Sequence, residues 1–323
     1  MDWYASHSRD LPWRGIRDAY GIWLSEIILQ QTRVEQGRDY WHRFMQRFPR
    51  VEDLAAASED EVLLLWQGLG YYSRARNLHT AARQIVELGG FPQTIEGLRR
   101  LKGVGDYTAA AVGSMAFGLP AAAVDGNGFR VMARYFGIDT PINSSAGKQT
   151  FTALANELLP ADQPGTFNQA MMDFGALQCT PQSPHCMQCP LAETCTALRE
   201  GRVETLPVKL RKTAVKTRRM GYVYLRCHGE VAIHRRPAGD IWQGLWEPVN
   251  LDDWQMEGYS PVLLRKEVKH VLTHRILLAD FYLLETETRP ALPADYIWVK
   301  EDALDDYGKP RLIEIMLEEV SKA

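Results

Sequence analysis

The chain has 323 residues, 46% hydrophobic and 24% charged, enough apolar length for two separate cores. A net charge of -3 excludes a general attraction to nucleic acid or to anionic membrane, so any such binding must come from local basic patches. No apolar run reaches membrane-spanning length, and the start "MDWYASHSRDLPWRG" lacks a basic segment followed by an apolar one, so a soluble cytoplasmic protein of bacterial type is expected.

From about residue 18 to 200 the pattern is helical. "DAYGIWLSEIILQQTRVEQ", "EDEVLLLWQGLG", "RNLHTAARQIVELGG" and "TIEGLRRL" carry apolar residues three and four apart, separated by Gly and Pro. Glu26 sits in the first of these among Trp23, Leu24, Ile27 and Ile28. Either it lies on an exposed stripe, or it is a buried acid raised toward neutral pH. Two segments echo each other: "GLGYYSRA" (Gly68 to Ala75) and "GVGDYTAA" (Gly103 to Ala110). They are either ordinary helix junctions or turns that present unpaired backbone N–H groups to an anion. Asp125, in "AAAVDGNGFRVMAR", follows an apolar run and precedes a helix, which makes it a helix N-cap, a catalytic carboxylate or both.

Around residue 201 the texture changes. "GRVETLPVKLRKTAVKTRR" is basic and poor in large apolar residues, reading as a connector that is either solvated or in touch with phosphates. Beyond it "MGYVYLRCHGEVAIHRR" alternates around His228-Gly229, predicting a β-hairpin. "RILLADFYLLETE" and "ADYIWVK" read as strands, and "KPRLIEIMLEEVSK" as a closing helix, giving a mixed α/β second domain.

Four of the five cysteines lie in "CTPQSPHCMQCPLAETC", with spacing Cys-x6-Cys-x2-Cys-x5-Cys over Cys179, Cys186, Cys189 and Cys195. Without a secretion signal this reads as metal ligation rather than disulfides. Four thiolates suit zinc or an iron–sulfur cluster, and one short step flanked by two longer ones fits a cubane better than paired zinc knuckles. Cys227, alone on a predicted strand, reads as a packed small hydrophobe.

A helix–Gly-Val-Gly–helix hairpin followed by this cysteine spacing resembles the endonuclease III superfamily of DNA base-excision glycosylases. The resemblance implies an all-α helix-hairpin-helix glycosylase domain over residues 1–203, a six-helix barrel with a lobe holding a [4Fe–4S] cluster on the four cysteines. It also implies that Gly103, Val104 and Gly105 bind a DNA phosphate through backbone amides, with a monovalent cation at the hairpin.

"WLSEIILQQTRV", "QGLGYYSRARNL", "LKGVGDYTAAAV" and "VDGN" together resemble the adenine-specific branch, of the MutY type. Endonuclease III proper carries a lysine where this chain has Tyr107, and a tyrosine cannot form the Schiff base of a lyase. The resemblance therefore implies a monofunctional enzyme: Glu26 protonates adenine and later activates water, Asp125 stabilises the sugar cation, and Tyr107 and Asn127 orient them. It assigns Arg14 to the adenine pocket, and Gln30, Gln31, Thr32, Leu69 and Tyr71 to probing the stack at the lesion. The implied partner is double-stranded DNA with adenine opposite 8-oxoguanine or guanine, bound by a monomer without membrane association.

After a basic linker over residues 204–220, "GDIWQGLWEPV" resembles part of a Nudix-like fold, implying a smaller α/β lesion-recognition domain over residues 221–323. The metal-holding glutamate run of a catalytic Nudix box is missing from residues 240–290. The family's lesion-reading Phe-Ser-His stands here as Leu272, Thr273 and His274, which keeps the hydroxyl and loses the ring. Gly128 replaces a commonly apolar residue and is expected to loosen the helix start after Asp125. Two rival readings stand: a bifunctional pyrimidine glycosylase/lyase, and a catalytically silent DNA-binding protein.

Overall fold

The structure, a computed structural model, describes residues 1–210, 215–254, 256 and 258–323. It divides into two compact units, Met1–Ala55 with Thr80–Lys212, and Ala56–His79 with Thr213–Ala323. The centre of the basic stretch read as a linker, residues 211–214, lies outside the described residues.

In chain order the helices begin with α1 (Asp2–His7), α2 (Ala19–Ile28), α3 (Val34–Arg47), α4 (Val51–Ala56), α5 (Glu59–Leu65) and α6 (Ser73–Glu87). They continue with α7 (Ile95–Arg99), α8 (Asp106–Phe117), α9 (Gly126–Phe136), α10 (Ser145–Leu158), α11 (Pro164–Asp173), α12 (Thr196–Arg199) and, at the end of the chain, α13 (Arg311–Val320). The helix α2 starts where the Asp18 carboxylate accepts from the N–H groups of Tyr20 (3.2 Å) and Gly21 (2.8 Å), the usual role of an N-cap aspartate. It is buried from Tyr20 to Ile28, Trp23, Leu24, Ile27 and Ile28 included, so the helix predicted from the apolar spacing lies in the core. α8 is likewise buried from Thr108 to Ser114, and its small residues let neighbours approach closely. A Cβ on Gly165 of α11 would fall 2.7 Å from the Ser114 carbonyl oxygen, so only glycine fits that crossing. After α11 the chain continues as a π-helical turn, Phe174–Gln178, directly into Cys179.

The second unit is built on a mixed sheet of β1 (Lys216–Cys227), β2 (Glu230–Arg235), β3 (Trp246–Asn250), β4 (Val262–Val271), β5 (Arg275–Glu285) and β6 (Tyr296–Lys300), in the order β4-β5-β1-β3-β2-β6. β1 and β5 are parallel, and the other pairings are antiparallel. The β1–β2 hairpin turns at His228 (φ 50°) and Gly229 (φ 75°), the left-handed pair that a two-residue turn requires. α13 packs Leu312, Ile313 and Met316 into the core with Tyr222, Leu277 and Phe281. Ala56–His79 groups with this unit through Lys309 N–H to Gln67 (2.9 Å), Arg235 to Glu59 (2.9 Å) and Arg76 to the Gln243 carbonyl (2.6 Å).

Two elements depart from expectation. β1 begins at Lys216, inside the stretch read as a linker, because Lys216 to Met220 pair in register with Arg275 to Ala279 of β5. β4 was not expected as a strand. It is an edge strand with bulges around Leu263, Arg265 and Val268, and only Val268 is buried, so it carries no clean alternation. At the centre of the unit, Glu247 is 1% exposed and accepts from Tyr222 (2.8 Å), Arg236 (2.5 Å), His234 (3.1 Å) and Asn250 (3.2 Å).

Candidate active site

The helical unit contains a cavity of about 350 Å³ lined by Arg9, Trp13, Arg14, Glu26, Gln30, Gln31, Thr32, Tyr107, Asp125 and Asn127, with others. Its size lies at the low end of small-ligand sites, about 300–1,000 Å³. The fold thus gathers from four sequence segments the residues expected to act on the base.

Glu26 projects from the buried α2 and is 8% exposed, so the exposed-stripe reading is excluded. Burial raises its pKa to about 7, against the lowering effect of a hydrogen bond from Tyr107 and of the Arg14 cation. Tyr107 stands in the first turn of α8, and burial beside Glu26 and Asp125 holds it well above its ordinary value, so it remains a neutral donor. Asp125 is the N-cap of α9, accepting from the Gly128 N–H at 2.8 Å, while its other oxygen accepts from Asn127 Nδ2 at 2.7 Å. The capping role is therefore real and leaves the carboxylate lining the cavity. At Gly128 an added Cβ would meet only ordinary contacts at 3.5 and 3.6 Å, and its N–H is a cap donor.

Asn127 is itself fixed. Its Oδ1 accepts from Arg130 Nη2 at 2.8 Å, and Arg130 also donates to the Gly175 carbonyl (2.6 Å) and the Cys179 carbonyl (2.7 Å). A Cβ on Gly175 would lie 2.5 Å from Asn127 Cβ, so glycine is needed for the π-helical turn to approach α9.

Asp173 escaped the sequence reading. It is fully buried and accepts from the Arg9 N–H (3.0 Å), Arg9 Nε (2.8 Å) and Arg14 Nη2 (3.0 Å), while Arg14 Nη1 donates to Tyr4 (2.7 Å). Two arginines are thereby aligned at the cavity wall by one carboxylate. The signal lay in "MMDFGALQC", an acid six residues before the first cluster cysteine, and spacing alone did not distinguish it.

The remaining expected residues lie elsewhere. Gly103 has φ 77°, and Gly105 is the N-cap of α8 without a side-chain cap, so the first amides of α8 are left for other acceptors; Val104, 7% exposed, drops out of the expected donors because its N–H bonds the Leu101 carbonyl at 3.1 Å. Leu69, Tyr71, Thr273 and His274 belong to the second unit, where they line a different cavity of about 690 Å³. There the Tyr71 and Thr273 hydroxyls are hydrogen-bonded, and Leu272 to His274 form the turn between β4 and β5.

Cys179, Cys186, Cys189 and Cys195 line one small cavity. Four thiols around one cavity are a donor set that an iron–sulfur cluster accepts. Arg134 approaches the Cys179 sulfur at 3.4 Å and donates to the Thr180 (2.7 Å) and Pro181 (3.1 Å) carbonyls, pinning the loop. This set fits a [4Fe–4S] cluster.

Residues 24–157 match the family model described as HhH-GPD superfamily base excision DNA repair protein, residues 179–195 the iron-sulfur binding domain of endonuclease III, and residues 221–319 a NUDIX domain. An adenine DNA glycosylase of Buchnera aphidicola subsp. Schizaphis graminum is 34% identical over 255 residues, covering 78% of this chain and 74% of that protein. The chain belongs to the adenine DNA glycosylase family. The mouse family member is 44% identical over 234 residues, covering 68% of this chain and 45% of its own length, and the human one 47% over 208 residues, covering 61% and 38%. The chain thus spans less than half the length of those two adenine DNA glycosylases. In structure it is similar to a thermostable thymine-DNA glycosylase, with TM-score 0.57, 33% identity and coverage of 62% of this chain and 93% of that one. An endonuclease III trapped on DNA shares the fold, with TM-score 0.54, 24% identity and coverage of 62% and 92%. Among the described residues no helix is long and apolar enough to cross a membrane.

Proposed function

We propose that this chain is a monofunctional adenine DNA glycosylase acting on adenine opposite 8-oxoguanine or guanine in duplex DNA. The observation that carries the reading is a buried carboxyl, Glu26, near neutral pKa in the same cavity as Asp125 and Tyr107.

A carboxyl raised to about 7 can donate a proton and take one back near neutral pH. Glu26 delivers its proton to adenine N7, and the C1′–N9 bonding pair leaves with the base. Asp125, hydrogen-bonded to Asn127, faces the resulting sugar cation. Glu26, now a carboxylate, takes a proton from the water that adds to C1′, which restores the starting state. Tyr107 offers no amine for a Schiff base, which disfavours strand cleavage by a lyase step. Arg14, held by Asp173 and Tyr4, supplies donors to the flipped base. The Gly103 and Gly105 amides, with those of the first turn of α8, take a phosphate, while the Val104 N–H is spent on the Leu101 carbonyl; the four cysteines would hold the cluster that shapes the adjoining lobe. Leu69, Tyr71, Thr273 and His274 address the base opposite adenine.

The test is single-turnover incubation with duplex containing adenine opposite 8-oxoguanine, beside an undamaged A:T control. Free adenine and an alkali-labile site are expected from the lesion duplex alone, and borohydride should trap little covalent complex. Absence of adenine release would sink the proposal in favour of a silent binder, while strong trapping would favour the lyase.

A further inference from the structure

We propose that Arg74 and Trp66 are positioning residues that hold the exposed Tyr71 ring ready to enter the base stack beside the base opposite adenine. The inference rests on the lesion-probing role proposed above for Tyr71 and assigns what gives that ring its aim.

Between α5 and α6 the chain turns through Gly68 (φ 95°), Gly70 (φ 71°) and Tyr71 (φ 48°), three left-handed positions within four residues. The two glycines take this backbone freely, but Tyr71 carries a Cβ and is strained there. Burial of its side chain does not offset the strain, because Tyr71 is 40% exposed. An exposed aromatic on strained backbone is not core filling, and such outliers gather where a side chain must be aimed. The Tyr71 hydroxyl also bonds the Thr273 hydroxyl, which fixes the far end of the ring.

The backbone of the turn rests on a bracket of two residues. Trp66, fully buried, donates its indole N–H to the Gly70 carbonyl at 3.0 Å. Arg74 is buried too, and its Nη2 donates to the Leu69 carbonyl at 3.4 Å and the Gly70 carbonyl at 3.3 Å. Its backbone N–H donates to the Tyr71 carbonyl at 2.8 Å, so the three successive carbonyls of residues 69–71 are all engaged. The guanidinium lies 5.0 Å from the Trp66 ring and 5.7 Å from the Tyr71 ring, within cation–π reach of both. Burial lowers the Arg74 pKa to about 10, so it remains a cation at neutral pH. A buried cation is a costly way to fill space that an aliphatic side chain would fill more cheaply. What arginine adds is a planar fork of donors that spans two carbonyls, with a charge beside the probing ring.

The experiment uses the full, cluster-loaded chain and single-turnover rates corrected to the active fraction. Two substrates are compared: an A:8-oxoguanine duplex, and the same duplex with a tetrahydrofuran abasic analogue beside the 8-oxoguanine, where the stack is already open. Arg74→Gln should slow adenine release about tenfold on the intact stack, the scale of one lost base–aromatic stack, and leave the opened duplex at the wild-type rate. Trp66→Phe, which loses the indole N–H and keeps an aromatic ring, should slow the intact duplex about fivefold, the worth of one hydrogen bond. Arg74→Lys keeps the charge without the fork and should recover part of the Arg74→Gln loss. Tyr71→Leu is the benchmark, with a larger loss on the intact stack than on the opened one. Equal slowing of Arg74→Gln on both duplexes would show a merely structural role and overturn the inference, as would wild-type rates of Arg74→Gln and Trp66→Phe on the intact stack. If Arg74→Gln fails to fold, Trp66→Phe carries the test by the same two outcomes. Stack dependence in Tyr71→Leu alone removes only the inference, whereas its absence there removes the lesion-probing reading as well. Failure of the glycosylase reading shows separately, as no adenine release by the wild-type chain from any duplex.

Discussion

Replacing Tyr107 with Phe removes one hydroxyl and nothing else from the cavity, and its consequence can be worked through in advance. Glu26 is raised by burial and held down by the Tyr107 hydrogen bond and Arg14, the balance lying at about 7. A hydrogen bond to a charged group is worth about 1.5–3 kcal/mol, and one pH unit corresponds to about 1.4 kcal/mol, so losing it should lift the Glu26 pKa by about one to two units. The acid must be protonated to act, so the rate falls as pH rises through that pKa. The alkaline limb of the single-turnover profile should therefore move from near 7 to about 8–9 in Tyr107→Phe. The assay is adenine release from the lesion duplex between about pH 5.5 and 9.5, with enzyme in excess. A limb that stays in place or moves to lower pH would refute the reasoning. A lowered plateau with an unmoved limb would mean that Tyr107 acts on the sugar and not on Glu26.

Glu26→Gln should cut the excision rate by about 10²–10⁴ while leaving duplex binding measurable by gel shift. Because the folded pKa lies above the ordinary 4.5, the carboxyl's contribution to stability is complete below about pH 4.5 and lost as pH rises through about 7. The Gln variant should therefore be more stable than the parent at pH 8, by at most about 3 kcal/mol in denaturant unfolding, and equally stable at pH 4. Gly175→Ala should push the π-helical turn off Asn127, costing about 1–3 kcal/mol in denaturant unfolding and lowering the single-turnover rate. Asp173→Asn leaves Arg9 and Arg14, 24% and 11% exposed, without their carboxylate partner and should cost at most about 3 kcal/mol, read as a lower denaturation midpoint. The purified chain should be yellow-brown, and colourless protein carrying zinc would contradict the cluster assignment.

The sequence revealed those features that local chemistry decides. The run around Glu26 reads as a helix because its apolar residues recur three and four apart, and the His228-Gly229 hairpin reads from alternation around a turn suited to left-handed backbone. The cysteine set is legible because all four ligands fall within 17 residues. What was not legible depends on partners distant in the chain. Glu26 meets Tyr107 only when α2 packs beside α8, and Asp173 reaches Arg9 across 164 positions. β4 was missed because an edge strand with a single buried residue and two bulges resembles a charged loop. The strand at Lys216 to Met220 was hidden by its basic residues, which pair through the backbone and not through an apolar face.

Asp125 has a consequence of another kind. Both of its oxygens are occupied before substrate arrives, one by the start of α9 and one by Asn127. Each oxygen keeps a second lone pair for C1′, but esterification draws charge off the carboxylate and weakens both hydrogen bonds, and a helix cap alone is worth about 1 kcal/mol. The helix start therefore acts as a return spring: the geometry that aims the carboxylate also pulls it back, favouring release of the sugar over a trapped ester.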